Sequence, residues 1–237
     1  MNRSSEPVAL ITGGSAGLGL ALADALAIRG WLVVVDGRDA DRLLDAQRPG
    51  ITTVCGDVTE VGHRSDLGTL VGRLGRLDLL VHNASTLGPL PMRRLANLAP
   101  AELHAVLDTN LVAPLALTQF LLPALRRSDG VLLAVTSDAA IEHYETWGGY
   151  GASKAALEHL TLTFAAEEGL TAYVVDPGDM RTQMHQDAFP GEDLSDRPLP
   201  DSVVPHLLAL LDARPASGRY RAADVPVAAA LDSGGAR

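Results

Sequence analysis

Residues 12–19 read TGGSAGLG, and they stand between a short apolar segment, PVALIT, and a segment rich in alanine and leucine. This order predicts a strand, a tight turn and a helix. Glycines let a ligand approach the backbone closely, and the first turn of a helix offers unpaired N–H groups and a positive dipole end. The stretch therefore predicts a turn that binds a pyrophosphate, with a plain tight turn as the alternative.

Five more short apolar segments follow: WLVVVD, TTVCG, LDLLVH, VLLAVT and TAYVV. Continuous apolar runs of this length are typical of strands buried on both faces of a parallel sheet. Between the strands, leucine and alanine recur at helical spacing over residues 17–29, 40–47, 61–74, 100–125 and 150–168. The alternation predicts an α/β fold with a doubly wound parallel sheet (a Rossmann fold) in three layers, as one domain over residues 1–237. A long irregular stretch at about 177–201 predicts a substrate lid.

Composition narrows the function classes. The 237 residues are 47% hydrophobic and carry a net charge of -10, which suits a sizeable core and disfavours nucleic acid. Cys55 is the only cysteine, so no intrachain disulfide forms, and the seven histidines show no metal-binding spacing. We find no signal peptide and no segment near the roughly 20 apolar residues of a membrane span. These features predict a cytoplasmic protein without metal, membrane or nucleic-acid partners.

Tyr150 and Lys154 lie four residues apart at the start of a predicted helix, and this spacing puts both side chains on one helix face. Lys154 is also the only lysine in the chain. A phenol has a pKa near 10, and a neighbouring ammonium favours the phenolate. We therefore expect Lys154 to lower the pKa of Tyr150 toward neutrality, which suits a general acid or base. The alternative is an ordinary tyrosine–lysine pair on a solvated helix face.

Two further polar residues join this pair. Ser137 follows the strand VLLAVT, at the carboxyl edge where α/β sheets bind ligands, although a serine there also serves as a turn former or helix cap. Asn110 falls in an otherwise apolar helix, where a buried amide needs hydrogen-bond partners. A satisfied core asparagine is the alternative for that residue.

The motifs together resemble the short-chain dehydrogenase/reductase family. The resemblance rests on Thr12 with the glycines Gly13, Gly17 and Gly19, and on the tetrad Asn110, Ser137, Tyr150 and Lys154, and it spans residues 7 to about 182. It implies an NAD(P)(H)-dependent oxidoreductase that moves a hydride between a nicotinamide and a carbonyl or alcohol carbon. In that family the tyrosine is the general acid/base and the serine positions the substrate oxygen. The lysine binds the nicotinamide ribose, and the asparagine sustains the proton relay.

The resemblance also implies the cofactor contacts. Asp57 with Val58 would meet the adenine, and the turn at Pro177, Gly178 and Thr182 would meet the nicotinamide carboxamide and a phosphate. The expected contacts are completed by Gly13, Ser15, Gly17, Leu18, Gly19, Arg38, Asn83, Ala84, Tyr150 and Lys154. The chain departs from the family pattern Asn-Ala-Gly after the fourth strand, where Ser85 replaces the glycine and puts the local backbone in doubt.

The choice of cofactor depends on Asp36, Gly37 and Arg38, at the end of the second predicted strand. An acid there binds the ribose 2′-hydroxyl of NAD, whereas an arginine accommodates the 2′-phosphate of NADP. The family register places Gly37 where the acid normally stands, followed by Arg38. We therefore expect NADP(H) over NAD(H), with Asp36, one residue early, as the opposing feature.

The remaining expectations concern substrate and assembly. Ser137 and Tyr150 are expected to bind the substrate beside an apolar and aromatic wall formed by Thr86, Leu87, Trp147, Met180, Met184 and Phe189. The family resemblance also implies a homodimer or homotetramer formed through the helices over residues 100–125 and 150–168, both of which are strongly apolar. A sugar-nucleotide epimerase would carry a larger C-terminal domain, and a histidine-based hydrolase is disfavoured because the seven histidines show no metal-binding spacing. A non-catalytic dinucleotide-binding or sensing protein on the same fold is the other alternative.

Overall fold

The computed structural model describes residues 5–227, in which seven strands form one parallel sheet in the order β3-β2-β1-β4-β5-β6-β7. The strands are β1 (Val8–Ile11), β2 (Leu32–Gly37), β3 (Ile51–Cys55), β4 (Leu79–His82), β5 (Val131–Val135), β6 (Thr171–Asp176) and β7 (Gly218–Arg221). The helices are α1 (Gly17–Ile28), α2 (Ala40–Ala46), α3 (Val61–Leu74), α4 (Pro100–Leu107), α5 (Ala113–Ser128), α6 (Gly148–Glu168), α7 (Gln183–Ala188) and α8 (Val204–Ala213). This is the predicted doubly wound fold.

Helices cover both faces of the sheet because successive strand residues point to opposite sides. Ala9 and Ile11 of β1 pack with the apolar faces of α1 and α8, whereas Val8 and Leu10 pack with α3, α5 and α6. Every residue of β1 is fully buried. Burial on both faces explains why the strands are continuous apolar runs. In β2 and β4 the polar residues, Asp36 and His82, come at the carboxyl end.

The prediction of six strands is wrong by one, because β7 extends the sheet beside β6. The segment GRYR is short and polar and lies at the sheet edge, so it carries no apolar run that indicates a strand.

The predicted lid contains α7, and α8 follows it. The helix predicted over residues 100–125 is interrupted by a π-helical turn, Asp108–Val112. Pro114 lies just beyond this turn and has no N–H to donate to the carbonyl four residues back.

Residues Pro100–Ser128 together are long and apolar enough to cross a membrane, contrary to the prediction that no such segment exists. In the fold, however, this stretch contributes Leu117, Leu121 and Leu125 to the core against the sheet. Length and composition alone are weak evidence for a membrane span, because the core helix of a globular domain has the same pattern.

Residues 1–4 and 228–237 lie outside the described part of the chain. The prediction of one domain over residues 1–237 therefore stays a prediction. Within residues 5–227 the sheet and both helical layers form one continuous arrangement.

Candidate active site

One cavity of about 750 Å³ runs along the carboxyl ends of the strands. Its wall begins at the glycine turn after β1, passes the ends of β2 and β4, and reaches Ser137, Tyr150 and Lys154. The lid residues Met180 and Met184 close the far side. A doubly wound sheet binds ligands at this edge, because the strand order reverses on either side of β1 and opens a crevice.

The glycine turn is shaped by close backbone contacts. Gly13 has φ +64°, and a Cβ there would lie 2.8 Å from the Cα of Ala84. The Nδ2 of Asn83 donates to the carbonyl oxygens of Thr12 at 2.9 Å and Gly13 at 3.0 Å. Ala16, which precedes α1, provides no side-chain cap, so the N–H groups of the first helical turn are left to a ligand.

Asp36, at the end of β2, anchors the glycine turn through a hydrogen bond. Its side chain is buried, with the residue 1% exposed. Its Oδ1 accepts a hydrogen bond from the N–H of Gly13 at 2.7 Å, and its Oδ2 lies 2.9 Å from Nε2 of the buried His63. Both carboxylate oxygens are therefore engaged inside the protein. The side chain points toward Gly13 and His63 and is almost wholly shielded from solvent.

Arg38 and Asp57 flank the outer end of the cavity. Arg38 is 76% exposed at its side chain, and its Nη1 lies 3.7 Å from Oδ2 of Asp57. Burial raises the pKa of Asp57, but hydrogen bonds from the backbone N–H and hydroxyl of Thr59, together with Arg38, hold that pKa below its usual value. This end of the cavity thus pairs a hydrogen-bonded carboxylate with an exposed guanidinium.

Tyr150 and Lys154 lie on the first two turns of α6 and are 7% and 2% exposed. The Nζ of Lys154 donates to the carbonyl oxygen of Val135 at 2.8 Å and lies 5.6 Å from the centre of the Tyr150 ring. Burial lowers the pKa of Lys154 to about 8, against the opposing effect of the Glu158 carboxylate. The lysine is therefore mostly protonated at neutral pH.

The pKa of Tyr150 differs from the sequence-based expectation. Burial raises it above the usual value, and the carboxylates of Asp138 and Asp176 act in the same direction. Hydrogen bonds with the hydroxyls of Ser85 and Ser137 act to lower it, but the effect of burial is larger. Without a cofactor the phenol keeps its proton at neutral pH, as a proton donor must.

Ser137 and Asn110 differ in access. The hydroxyl of Ser137 donates to Oδ1 of Asp138 at 2.9 Å and lines the cavity beside Tyr150. Asn110 lies in the π-helical turn, is 1% exposed and does not line the cavity. Its amide bonds the backbone of Thr86 at both ends, and its Nδ2 also donates to Oγ of Ser153 at 2.9 Å. Asn110 therefore acts from behind Tyr150.

A buried ionic network supports this half of the site. Arg219, on β7, donates through Nε to Oε1 of Glu158 at 3.1 Å and through Nη2 to the carbonyl oxygen of Ser137 at 3.2 Å. The same Nη2 lies 3.4 Å from Oδ2 of Asp176, and Thr136 donates to Glu158 at 2.6 Å. The guanidinium thus joins α6 to the ends of β5 and β6, as its planar fork of donors permits.

A family model described as short chain dehydrogenase matches residues 7–193 of this chain. The chain belongs to the short-chain dehydrogenase family. This short-chain dehydrogenase is an NAD(P)-dependent oxidoreductase. The glycine turn, Ser137, Tyr150 and Lys154, which carry the family resemblance, line one cavity at the carboxyl ends of the strands.

Three relatives illustrate the similarity. An uncharacterized oxidoreductase of Schizosaccharomyces pombe is 31% identical over 188 residues, covering 78% of this chain and 75% of the relative. Benzil reductase ((S)-benzoin forming) of Saccharomyces cerevisiae is 32% identical over 194 residues, with 76% and 74% covered. The alcohol dehydrogenase of the archaeon Thermococcus sibiricus complexed with 5-hydroxy-NADP superposes with a TM-score of 0.81 at 28% identity, covering 92% of this chain and 96% of that one.

Most side chains singled out from the sequence of this short-chain dehydrogenase meet in the cavity. They are Gly13, Ser15, Gly17, Leu18, Arg38, Asp57, Val58, Asn83, Ala84, Leu87, Ser137, Trp147, Tyr150, Lys154, Pro177, Gly178, Met180, Thr182 and Met184. Gly19 does not line it, because a Cβ there would lie 2.5 Å from Nδ2 of Asn83 and the glycine serves that packing instead. Thr86 and Phe189 also lie outside the lining, and Thr86 bonds Asn110 through its backbone.

Sequence reasoning missed several residues that shape the site. Glu158 lies one helical turn beyond Lys154, so the spacing of four that pointed to Lys154 could also have found it. Arg219 and His63 had no local signal, because only the folded topology brings them to Asp176 and Asp36. Ser85 appeared only as a departure from the family pattern.

Aromatic rings form the substrate end of the cavity. The ring of Trp147 meets Tyr150 edge-on at 5.7 Å and tilts against Phe189 at 5.8 Å. Leu87, Met184 and Trp147 pack together around Tyr150. The result is an apolar wall directly beside the phenol, with His185 and Asp179 as polar groups on the lid.

Proposed function

We propose that this short-chain dehydrogenase reduces an aromatic or otherwise apolar ketone with NADPH, with Tyr150 as the proton donor. One observation carries the proposal: the protonated phenol of Tyr150 shares a cavity with an uncapped helix N-terminus and the buried ammonium of Lys154. A dinucleotide fits the glycine turn, since Ser15 and Gly17 line the cavity and no side chain caps the N-terminus of α1. No observation favours the non-catalytic alternative.

A nicotinamide bound at Pro177 and Gly178 would supply the hydride to the carbonyl carbon. Ser137 would hold the carbonyl oxygen, and Tyr150 would pass its proton to that oxygen, which becomes the alcohol hydroxyl. The phenolate left behind lies near the Lys154 ammonium, which favours this charged form by Coulomb attraction. Asn110 fixes the backbone of Tyr150 through Ser153, whose hydroxyl donates to the Tyr150 carbonyl oxygen at 2.6 Å.

The preference for NADP(H) is supported by the arrangement at the end of β2. Asp36 is engaged internally, and a side chain at Gly37 would lie 2.6 Å from Oγ of Ser15. Arg38 and Arg42 line the cavity at this end, where a 2′-phosphate needs cationic donors. The archaeal alcohol dehydrogenase described above was solved with an NADP derivative, which agrees with this assignment.

The substrate class is supported by the wall of Trp147, Leu87 and Met184 beside Tyr150. Aromatic and thioether side chains favour flat, apolar substrates. The similarity to a benzil reductase points the same way and makes benzil a rational first probe.

Assembly and location complete the proposal. The exposed Phe120 and Val112 lie on the segment that the sequence predicts for subunit contacts, and they support a homodimer or homotetramer. A single exposed thiol at Cys55 suits a reducing compartment, so we place the protein in the cytoplasm.

The cofactor assignment is tested by the fluorescence of Trp31 and Trp147 during titration with NADPH and, separately, NADH. We expect NADPH to bind more tightly. Arg38→Ala should weaken NADPH binding by roughly tenfold or more, because a charge-assisted hydrogen bond is lost, and should leave NADH binding unchanged. Lys154→Ala should weaken both nucleotides, whereas Arg29→Ala, an exposed arginine paired with Asp212, serves as the control. Binding of neither nucleotide would overturn the proposal, and equal affinities with no effect of Arg38→Ala would overturn the NADP(H) preference.

A further inference from the structure

Ser85 stands where the family pattern has a glycine, directly after Asn83 and Ala84. The structure removes the doubt about the local backbone, because the φ of Ser85 lies outside the left-handed region that favours glycine. A side chain is therefore accommodated at this position without strain. Ser85 is partly buried and lines the cavity together with Ser137, Tyr150 and Lys154.

The hydroxyl of Ser85 connects two members of the tetrad. It lines the same cavity as the Tyr150 phenol, and a hydrogen bond with it acts to lower the pKa of Tyr150. Its Oγ donates to Oδ1 of Asn110 at 3.2 Å. The same Oδ1 accepts the backbone N–H of Thr86 at 2.8 Å. When the Ser85 hydroxyl rotates away, the Oδ1 of Asn110 still accepts the N–H of Thr86. The rotation therefore leaves no buried acceptor without a hydrogen bond.

Ser137 is placed differently. Its hydroxyl donates to the carboxylate of Asp138 at 2.9 Å, while its Oγ accepts the backbone N–H of Ala139 at 3.1 Å. A carboxylate is a stronger acceptor than a neutral amide, and it holds the proton of Ser137 more firmly than Asn110 holds that of Ser85. Of the two hydroxyls beside Tyr150, the one on Ser85 is therefore freer to change its acceptor.

We propose that Ser85 is a further catalytic residue of the reaction proposed above, on which this inference rests: its hydroxyl donates to the Tyr150 oxygen once the phenol has lost its proton. Before transfer, Ser85 donates to Asn110 and its oxygen can accept the phenolic hydrogen. When the O–H bond of Tyr150 breaks and its proton joins the substrate oxygen, the Ser85 hydroxyl rotates from Asn110 to the new phenolate. No covalent bond to Ser85 forms or breaks.

The electrostatics of the phenol support this role. Burial and the nearby carboxylates of Asp138 and Asp176 oppose the phenolate, whereas hydrogen bonds from Ser85 and Ser137 favour it. A hydrogen bond that strengthens as charge develops stabilises the transition state more than the ground state. Of the two donors, Ser85 has only a neutral amide oxygen to leave, whereas Ser137 would have to leave a carboxylate.

The kinetic test compares Ser85→Ala, Ser85→Gly and Ser85→Thr with the wild type, using benzil with NADPH and benzoin with NADP⁺. We expect Ser85→Ala and Ser85→Gly to lower kcat roughly tenfold and to move the acidic limb of benzoin oxidation about one unit to higher pH, because the phenolate loses a donor. The KM for nucleotide should stay within twofold. Ser85→Thr keeps the hydroxyl and should restore most of kcat and the wild-type pH profile.

A second readout does not depend on turnover. With tyrosines labelled at Cζ with ¹³C, the Tyr150 signal is assigned by its loss in Tyr150→Phe. We expect Ser85→Ala to shift this signal in the nucleotide-free protein and Ser85→Thr to leave it near the wild-type position. An unchanged signal and an unchanged pH profile in both Ser85→Ala and Ser85→Gly would overturn the role of Ser85. Wild type and Tyr150→Phe could be equally inactive with all carbonyls while Ser85→Ala still shifts the Tyr150 signal. That result would overturn the proposed reaction but support the hydrogen bond between Ser85 and Tyr150.

Discussion

Two buried aspartates, Asp36 at the end of β2 and Asp176 at the end of β6, each fasten a glycine turn in opposite halves of the cavity. The Oδ1 of Asp36 accepts the N–H of Gly13 at 2.7 Å, and the Oδ1 of Asp176 accepts the N–H of Gly178 at 3.0 Å. They are 1% and 4% exposed. The same device thus orders the turn expected to hold the pyrophosphate and the turn expected to hold the nicotinamide.

The partners of the two carboxylates differ. The second oxygen of Asp36 contacts Nε2 of His63, a side chain that is charged only when it is protonated. Asp176 faces Arg219, which is always charged and also reaches Ser137 and Glu158. The Asp36 cluster is therefore self-contained and supports the fold, whereas the Asp176 cluster continues into the catalytic residues. Disruption of the first should affect stability most, and disruption of the second should affect turnover most.

The largest effect is expected from Asp36→Ala. The substitution leaves the N–H of Gly13 and the ring of His63 without their partner, which should lower the free energy of unfolding by roughly 3 kcal/mol. The glycine turn loses its anchor as well, so NADPH affinity should fall at least tenfold. Urea denaturation and fluorescence titration measure the two effects. Asp212→Ala, on an exposed pair with Arg29, should change the free energy of unfolding by less than about 0.5 kcal/mol. A stable Asp36→Ala protein with normal affinity would contradict the structural role.

Arg219→Met should act mainly on turnover. It leaves Glu158 and Asp176 without their shared cation and releases the carbonyl of Ser137, so we expect kcat to fall roughly tenfold. The free energy of unfolding should drop by about 2 kcal/mol, less than for Asp36→Ala, because Arg219 is partly exposed. Steady-state kinetics with urea denaturation provide the comparison, and Arg29→Met is the surface control. If Arg219→Met lost stability but kept kcat, the two clusters would not differ as proposed.

Glu158→Gln is expected to have the smallest effect, on pH dependence alone. Burial lowers the pKa of Lys154 to about 8, and the Glu158 carboxylate acts to raise it. Removal of this carboxylate lowers the pKa of Lys154 further, so the ammonium is lost at lower pH and the alkaline limb of the reduction rate should move by several tenths of a unit in that direction. The pH–rate profile tests the shift, with Glu168→Gln at the far end of α6 as control. A shift toward higher pH would contradict the coupling.

The sequence predicts the architecture well where burial controls residue choice. Six strands were found because each contains a short apolar segment, which is buried on both faces in all but the edge strand β3. The seventh, Gly218–Arg221, was missed because its residues serve polar contacts at the sheet edge, among them those of Arg219. Local spacing could not indicate the π-helical turn that carries Asn110.

The site was predictable wherever one short segment carries the chemistry, as with Tyr150 and Lys154. It was not predictable where residues distant in the chain meet. Asp36 was considered for the ribose, yet its partners Gly13 and His63 turn it inward. The pKa of Tyr150 was expected to fall because of Lys154, but burial of the phenol outweighs that effect in the cofactor-free protein. Burial is a property of the whole fold and cannot be judged from helix spacing.

The most direct test of hydride transfer with Tyr150 as proton donor follows an isotope. The protein is incubated with NADPH carrying two deuterium atoms at C4 of the nicotinamide, together with benzil and a panel of aromatic ketones, and the products are analysed by mass spectrometry. We predict an alcohol with one deuterium on the former carbonyl carbon, formed at least about a hundredfold more slowly by Tyr150→Phe. Absence of any deuterated alcohol, or an undiminished rate in Tyr150→Phe, would contradict the account.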